Sequence, residues 1–403
     1  MELLTRFNQL TDWLQRHQAL WRERPFTHLQ LSWEQDWPAL ASWLRQRSLA
    51  DAEAAQLQPA LLADAPEPFG ALAAQARELC RVPRWYGELA EPIPEPLQRH
   101  IPGRKWQQIT RFSAVTSARM PAPPQRWVDW CAGKGHLGRL LAWHSQCPVC
   151  CLEWDAALCD AGQQLSQQLQ LPVQHRRADV MQLPVAQLQP QDAAVALHAC
   201  GDLHRQLIEQ VVAAGCAQLA LSPCCYNRIS APQHQPLSNA GRQAGLQLSR
   251  DELGLPLQQT VTAGARERRQ RDRSMAWRLA CDLWQRETRG IDAYLPTPSK
   301  PPGPAPDTLQ QFCQAVAQHH QLALPAPPCW DALEQRGWQR LAEVRNLELV
   351  AGLFRRPLEL WLVIERALYL QEAGYSVSLG EFCDTELTPR NLLLLATAGP
   401  DQV

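Results

Sequence analysis

The sequence predicts a mixed α/β fold built on a largely parallel sheet, with a helical N-terminal region and a mostly helical insertion after the fifth strand. Three observations carry this expectation. From Arg126 onward, short apolar runs alternate with helical stretches of roughly 10–15 residues, the pattern of βαβ units. The first run, "RWVDW", ends in the glycine-rich turn "CAGKGHLG", which opens a helix. The tail then supplies a long amphipathic helix and two strands, enough to complete a sheet begun far upstream.

Taken in order, residues 1 to about 100 read as helices. Leu3, Leu4, Phe7, Leu10, Leu14, Leu20 and Trp21 recur near helical spacing, and "SWEQDWPALASWLRQR" repeats the pattern. "ADAPEPFG" and "ELAEPIPEPLQRHIPG" are breaks. The tryptophans of this region are expected to pack a helical core in preference to forming a stacking surface for bases. After "RWVDW" and the helix "HLGRLLAWHSQ", the strands are "CPVCCLEWD", "VQHRRADV", "DAAVALHACGD" and "CAQLALSPCCYN", with "AALCDAGQQLSQQLQL" and "LHRQLIEQVVAAG" as intervening helices. The tail reads as the helix "RPLELWLVIERALYLQEAGY", the strand "SVSLGEFCD" and the strand "NLLLLATAG". "NLLLLA" is too apolar for a lone edge strand, which favours a discontinuous core over a separate domain at 307–403. The expected division is a helical region at 1–100, core at 101–230, an insertion with a Pro-rich linker at 231–350, and closing core elements at 351–403.

Composition excludes several classes. The 403 residues carry a net charge of −1, 45% hydrophobic and 20% charged residues, so no basic excess points to nucleic acid. No run approaches the roughly 18 apolar residues of a membrane span. "MELLTRFNQLTDWL" carries charges throughout, unlike a signal peptide. The fourteen cysteines lack the short framework of a secreted scaffold, so a reduced, cytoplasmic protein is expected.

Gly133, Gly135 and Gly138 satisfy G-x-G-x-x-G, and Glu153 lies about 20 residues past the first glycine. That pattern fits a nicotinamide dinucleotide, S-adenosylmethionine, or a scaffold that needs only a tight turn. Asp129, four residues before Gly133, would repel a pyrophosphate but favour a cationic amino group, directly or through water. Glu153 suits a ribose diol in either cofactor, and Asp179 in "RRAD" can accept from an adenine amino group. An acid after each of three successive strands favours S-adenosylmethionine, with one amine, one diol and one exocyclic amine to recognise. The bland alternative is that these acids cap the following helices.

"DWCAGKGHLG", "LHACGDLH" and "SPCCYNRI", in this order, resemble a class I methyltransferase family that includes the eukaryotic methyltransferase-like protein twenty-five group and its relative named for a ribosomal RNA adenine dimethylase domain. The tail is similar too, through "LVIERALYLQEAG" and "LTPRNLLLLA". The resemblance covers about 126–230 and 355–400. It implies a Rossmann-like class I methyltransferase sheet with S-adenosyl-L-methionine held by Asp129, Ala132, Gly133, Gly135, Glu153, Asp179 and His198. It also implies that His198 to Asp202 face the reaction centre, and it makes RNA or a translation-related protein the candidate acceptor. The sequence departs from the family before the first strand: "GRKWQQITRFSAV" keeps Lys105 but lacks the His and Glu of the Lys-Lys-x-His-Glu stretch often found there.

Methyl transfer requires a positioned acceptor and, where needed, a base. His198 and Asp202 after the fourth strand are the candidates for that role, although His198 reads equally well as a turn residue. Tyr226 is placed as a stacking surface for a planar acceptor. Cys224, Cys225 and Asn227 would line the acceptor side. Cys147 and Cys150 form C-x-x-C, and Cys200, Cys224, Cys225 and His198 can meet in space. Even so, no second C-x-x-C occurs at zinc-like spacing, and no metal is expected. "RERRQRDRSMAWR" at 266–278 places six arginines in thirteen residues, an RNA-binding footprint or an ordinary solvated helix in equal measure.

Overall fold

The computed structural model describes residues 2–89, 91–121, 123–183, 187–258, 265–298, 306–323, 325, 327 and 329–399. The chain forms two compact units. One comprises Met1–Gln15, Leu79–Val261 and Arg356–Val403; the other comprises Arg16–Glu78 and Thr262–Arg355. Most of the N-terminal helices therefore group with the later helices of the insertion, a division that the expected boundaries at 100, 230 and 350 did not include.

The first unit is organised by seven strands: β1 (Arg126–Trp130), β2 (Val149–Glu153), β3 (Val173–Arg177), β4 (Asp192–Cys200), β5 (Gln218–Cys224), β6 (Tyr375–Glu381) and β7 (Leu392–Ala398). Their spatial order is β3-β2-β1-β4-β5-β7-β6. β1 to β5 are parallel, and β7 runs antiparallel between β5 and β6. This is the Rossmann-like sheet, with strand order switching at β1. The apolar runs arise because central parallel strands are covered on both faces: β5 is buried along its whole length, and Val195 and Leu221 are inaccessible. One face is covered by Ile109, Phe112 and Val115 from the helix Gly103–Arg119 and by Leu140 and Leu141 from the helix His136–Ser145. Arg126 ties the start of β1 to β4 through Asp192, at 2.9 and 2.5 Å.

The tail completes this sheet. Leu219, Ala220 and Leu221 of β5 pair with Ala396, Leu395 and Leu394, so the apolar run lies between two neighbours. The helix Arg355–Glu372 is almost entirely buried. Its Trp361 stacks on Phe7 at 5.1 Å and donates to Thr11 Oγ1 at 2.8 Å. Because β6 runs parallel to β5, the turn from β6 to β7 lies at the carboxyl edge of the sheet, with the ends of β1 to β5.

The second unit is helical. Its long helices Ala265–Arg289 and Trp330–Gly352 cross at Gly337, where a β-carbon would lie 2.5 Å from the Ala276 carbonyl oxygen. Trp284 meets Trp330 edge-on, and Trp277 meets Phe312. Arg340 donates to the Pro25 and His28 carbonyls at 2.6 Å each, and Arg45 pairs with Glu34 and Glu343. Trp21 and Trp33 are buried, as packing residues should be.

Candidate active site

The turn after β1 is shaped by backbone that few residues tolerate. Cys131, Gly133 and Gly135 have φ of 58°, 57° and 68°, in the left-handed region. The Ala132 N–H donates to the Leu152 carbonyl, and the Gly135 N–H donates to that of Ala132. A β-carbon at Gly138 would lie 2.6 Å from Cys151 Sγ, so the helix can begin against β2 only with glycine there. Nothing lies within 4 Å of a β-carbon built on Gly133, which leaves space open above the turn.

Two of the three acids bond to this turn, and the third follows β3. Glu153 ends β2, and its carboxylate accepts from Gly133 N at 2.8 Å and Asp155 N at 2.9 Å. Asp179 follows β3 and accepts from Met181 N at 3.1 Å and Gln182 Nε2 at 2.8 Å. Asp129 is 3% exposed, and its Oδ2 accepts from Gly138 N at 3.0 Å. Burial pushes its carboxyl up to about 7, although the Gly138 bond and the Arg139 charge pull the other way. As placed, Asp129 acts on the outer surface through the turn it organises. Two large apolar side chains stand exposed beside these acids, Trp154 at 68% and Met181 at 43%. Sequence reasoning missed both. The available signal was an aromatic residue directly after a strand-end acid.

At the end of β4 the pairing with β5 shifts register between Leu197 and Ala199, and His198 takes φ 66°. Its Nε2 lies 2.9 Å from Gln108 Oε1, and Gln108 Nε2 donates to the Leu387 carbonyl at 3.1 Å. Burial, with Arg390 and Lys105 adding to it, pushes the imidazole down to about 4, so His198 is neutral at physiological pH. Gln108, unforeseen from sequence, thus joins His198 to the turn after β6. The Asp202 carboxylate is engaged by Ser230 N at 2.7 Å, bracing the loop after β5.

One expectation needs correction here. Tyr226 was placed to stack on an acceptor, yet it is 1% exposed. Its ring meets His204 edge-on at 5.7 Å and lies under the Arg366 guanidinium at 5.5 Å, so neither face is available. Asn227 is partly exposed, and its Oδ1 is buried with no hydrogen-bond partner among the described residues. Cys224 and Cys225 do lie beside Cys200 at the carboxyl edge.

A groove of about 1060 Å³ opens beside this edge, between the helix Gly103–Arg119 and the turn after β6. Trp85, Tyr86, Arg104, Arg111, Glu386 and Leu387 are among its walls. Its outer wall is held by a long-range pair: Trp85 N donates to the Glu381 carbonyl at 2.8 Å, and Glu381 N donates to that of Pro83 at 2.9 Å.

Residues 104–232 match a family described as "Methyltransferase domain". That stretch holds most of the helix Gly103–Arg119, β1 to β5 and every site residue above except those in the groove wall and tail. Over that stretch the chain is similar to methyltransferase domains. Among solved structures, the chain is similar to a geranyl diphosphate methyltransferase in complex with GPP and sinefungin, at 13% identity and TM-score 0.26, over 37% of this chain and 60% of that one. It is also similar to a putative sarcosine dimethylglycine methyltransferase from Galdieria sulphuraria, at 13% identity and TM-score 0.27, over 33% and 52%. A third is the N-terminal domain of EvdMO1 with SAH bound, at 17% identity and TM-score 0.26, over 38% and 63%. The chain thus spans less than two thirds of each, and likenesses this slight say nothing of its acceptor. Among the described residues, no helix is long and apolar enough to cross a membrane.

Proposed function

We propose that the protein is an S-adenosylmethionine-dependent methyltransferase working at the carboxyl edge of β1 to β5. The observation that carries this reading is the open space above Gly133, with Glu153 bonded to the Gly133 N–H and Asp129 holding the turn through Gly138. The residues fit the donor's parts: Glu153 a ribose diol, Asp179 an exocyclic amine, and the exposed faces of Trp154 and Met181 a flat base. The bound donor supplies a methyl group on a sulfonium, a leaving group already in place. What remains for this chain is to hold the acceptor in line and exclude water. In this reading, neutral His198, held by Gln108, orients the acceptor, and Leu387 links it to the groove. The proposed module is discontinuous, 101–230 with 351–403.

The motifs quoted above favour the methyltransferase-like protein twenty-five group, and hence RNA or a translation-related protein as acceptor. Arg266, Arg268 and Arg269 are exposed on the helix Ala265–Arg289 and suit a phosphate backbone. Fourteen free thiols suit a reducing, cytoplasmic setting.

Calorimetric titration with S-adenosylmethionine tests the site, with NAD as the control titrant. Micromolar binding is expected, lost in Gly133→Ala and Asp129→Ala and weakened about tenfold in Trp154→Ala. Binding of NAD in place of the methionine cofactor, or no binding at all, would overturn the proposal.

A further inference from the structure

The carboxyl ends of β4 and β5 gather three thiols to which methyl transfer, as derived above, assigns no task. Cys200 closes β4, Cys224 closes β5 directly opposite it in register, and Cys225 follows. Cys200 Sγ and Cys224 Sγ are 3.5 Å apart, and all three sulfurs lie within 4.8 Å of one another. Among the described residues, this is the one place where three such donors of His, Cys, Asp or Glu converge.

The spacing is imposed by backbone. Gly201 N donates to the Cys224 carbonyl at 3.2 Å, Asp202 N to that of Arg228 at 3.0 Å, and Arg228 N to that of Cys225 at 2.9 Å. A β-carbon on Gly201 would stand 1.9 Å from the Arg228 carbonyl oxygen, so the two strand-end loops touch backbone to backbone. Successive strand residues point to opposite faces. Cys225 escapes that rule because it turns at φ 46°, a left-handed conformation disfavoured for a residue with a β-carbon, which returns its thiol to the other two.

A tetrahedral zinc–thiolate centre has Zn–S bonds of about 2.3 Å, which set its sulfurs about 3.8 Å apart. The Cys200–Cys224 pair is within a few tenths of an ångström of that edge and far from the roughly 2.05 Å of a disulfide. Cys200 and Cys225 are partly exposed, leaving an entry path, whereas Cys224 is buried. Both Cys200 and Cys224 donate to the His198 carbonyl, at 3.7 and 3.2 Å. The His198 ring, engaged by Gln108, is not counted as a ligand.

We infer that Cys200, Cys224 and Cys225 form a three-thiolate site for zinc, with a fourth position left to water or another small ligand. Binding exchanges the thiol protons for the ion, releasing up to three protons to solvent, with no change in oxidation state. The site does not depend on the methyltransferase reading.

The test uses the full chain, reduced, stripped with a chelator and assayed for free thiols. Zinc is titrated against a chromophoric chelator, and cobalt(II) is titrated with absorption recorded. One zinc per chain is expected, together with a near-ultraviolet thiolate-to-cobalt band that saturates at one equivalent and is erased by zinc. Cys200→Ser and Cys225→Ser should each weaken zinc at least tenfold while circular dichroism is unchanged, and Cys147→Ser/Cys150→Ser should not. In the unaltered chain, zinc should slow alkylation of Cys200 and Cys225, a readout that needs no variant. The inference is overturned if the reduced chain takes up no zinc, if binding survives loss of both Cys200 and Cys225, or if it is lost with Cys147 and Cys150 instead.

Discussion

Asp129 is a carboxyl group placed where water barely reaches, and its position has a pH consequence. Its value of about 7 in the folded chain stands above the ordinary 3.8, so between those limits the folded state holds a proton that the unfolded state gives up. Stability contributed by this group is therefore greatest at low pH and is lost as pH rises through about 7. Asp129→Asn keeps an oxygen for the Gly138 N–H and carries no charge to desolvate. Its stability relative to the native chain, read from melting temperatures across the pH series, is expected to climb from pH 4 to 7 and then level off, by up to a few kcal/mol in total. A constant difference across that range would show that the carboxyl titrates normally. The acid itself was legible in the sequence as a strand-end residue beside a glycine turn. Its inward aim was not, because one strand pattern does not say which carboxylate oxygen meets which backbone amide. Tyr226 illustrates the same limit: its place after β5 was readable, but its burial between His204 and Arg366 depends on a helix about 140 residues further along the chain.

At the scale of elements, two features rest on glycine without any ligand. Gly138 lets a helix start against β2, and Gly337 lets two long helices cross at backbone contact distance. Gly337→Ala would place a methyl group 2.5 Å from the Ala276 carbonyl oxygen and 2.7 Å from Ala280 Cβ. The helices must part, and a loss of about 1–3 kcal/mol is expected in a urea titration followed by tryptophan fluorescence. An unchanged midpoint would mean that the crossing is looser than it stands here. The alternation of strands and helices from Arg126 was legible because period two and period 3.6 differ sharply over such lengths. The groove was not. Its wall reads in sequence as a Pro-rich break, and it becomes a wall only because Pro83 and Trp85 pair with Glu381, almost 300 residues away. The register shift that turns out His198 is equally silent, since nothing in "ALHACGD" marks a bulge.

For the whole molecule, the near-zero net charge hides an uneven distribution. Arg266, Arg268 and Arg269 stand exposed, whereas Arg273 lies over the Trp277 ring at 5.0 Å and Arg278 bonds the Thr297 carbonyl. If RNA is the acceptor, replacing the first three by alanine should weaken RNA binding about equally for all sequences and flatten its salt dependence by roughly one unit of slope per lost phosphate contact. Filter binding across a salt series measures this, and an unaltered slope would leave that helix as a solvated face. The two-unit division, in which chain segments interleave, could not be read from local patterns because it depends on which helices meet. The placement of β7 has a consequence for biosynthesis. β5 is complete at residue 224, but the strand that covers its open side is not finished until residue 398. At synthesis rates of roughly 5–20 residues per second, the nascent chain carries the uncovered edge of a strand that is buried in the finished fold for about 10–35 seconds. Any product terminated prematurely before residue 392 keeps that edge permanently, which makes it a natural client for chaperones and proteases.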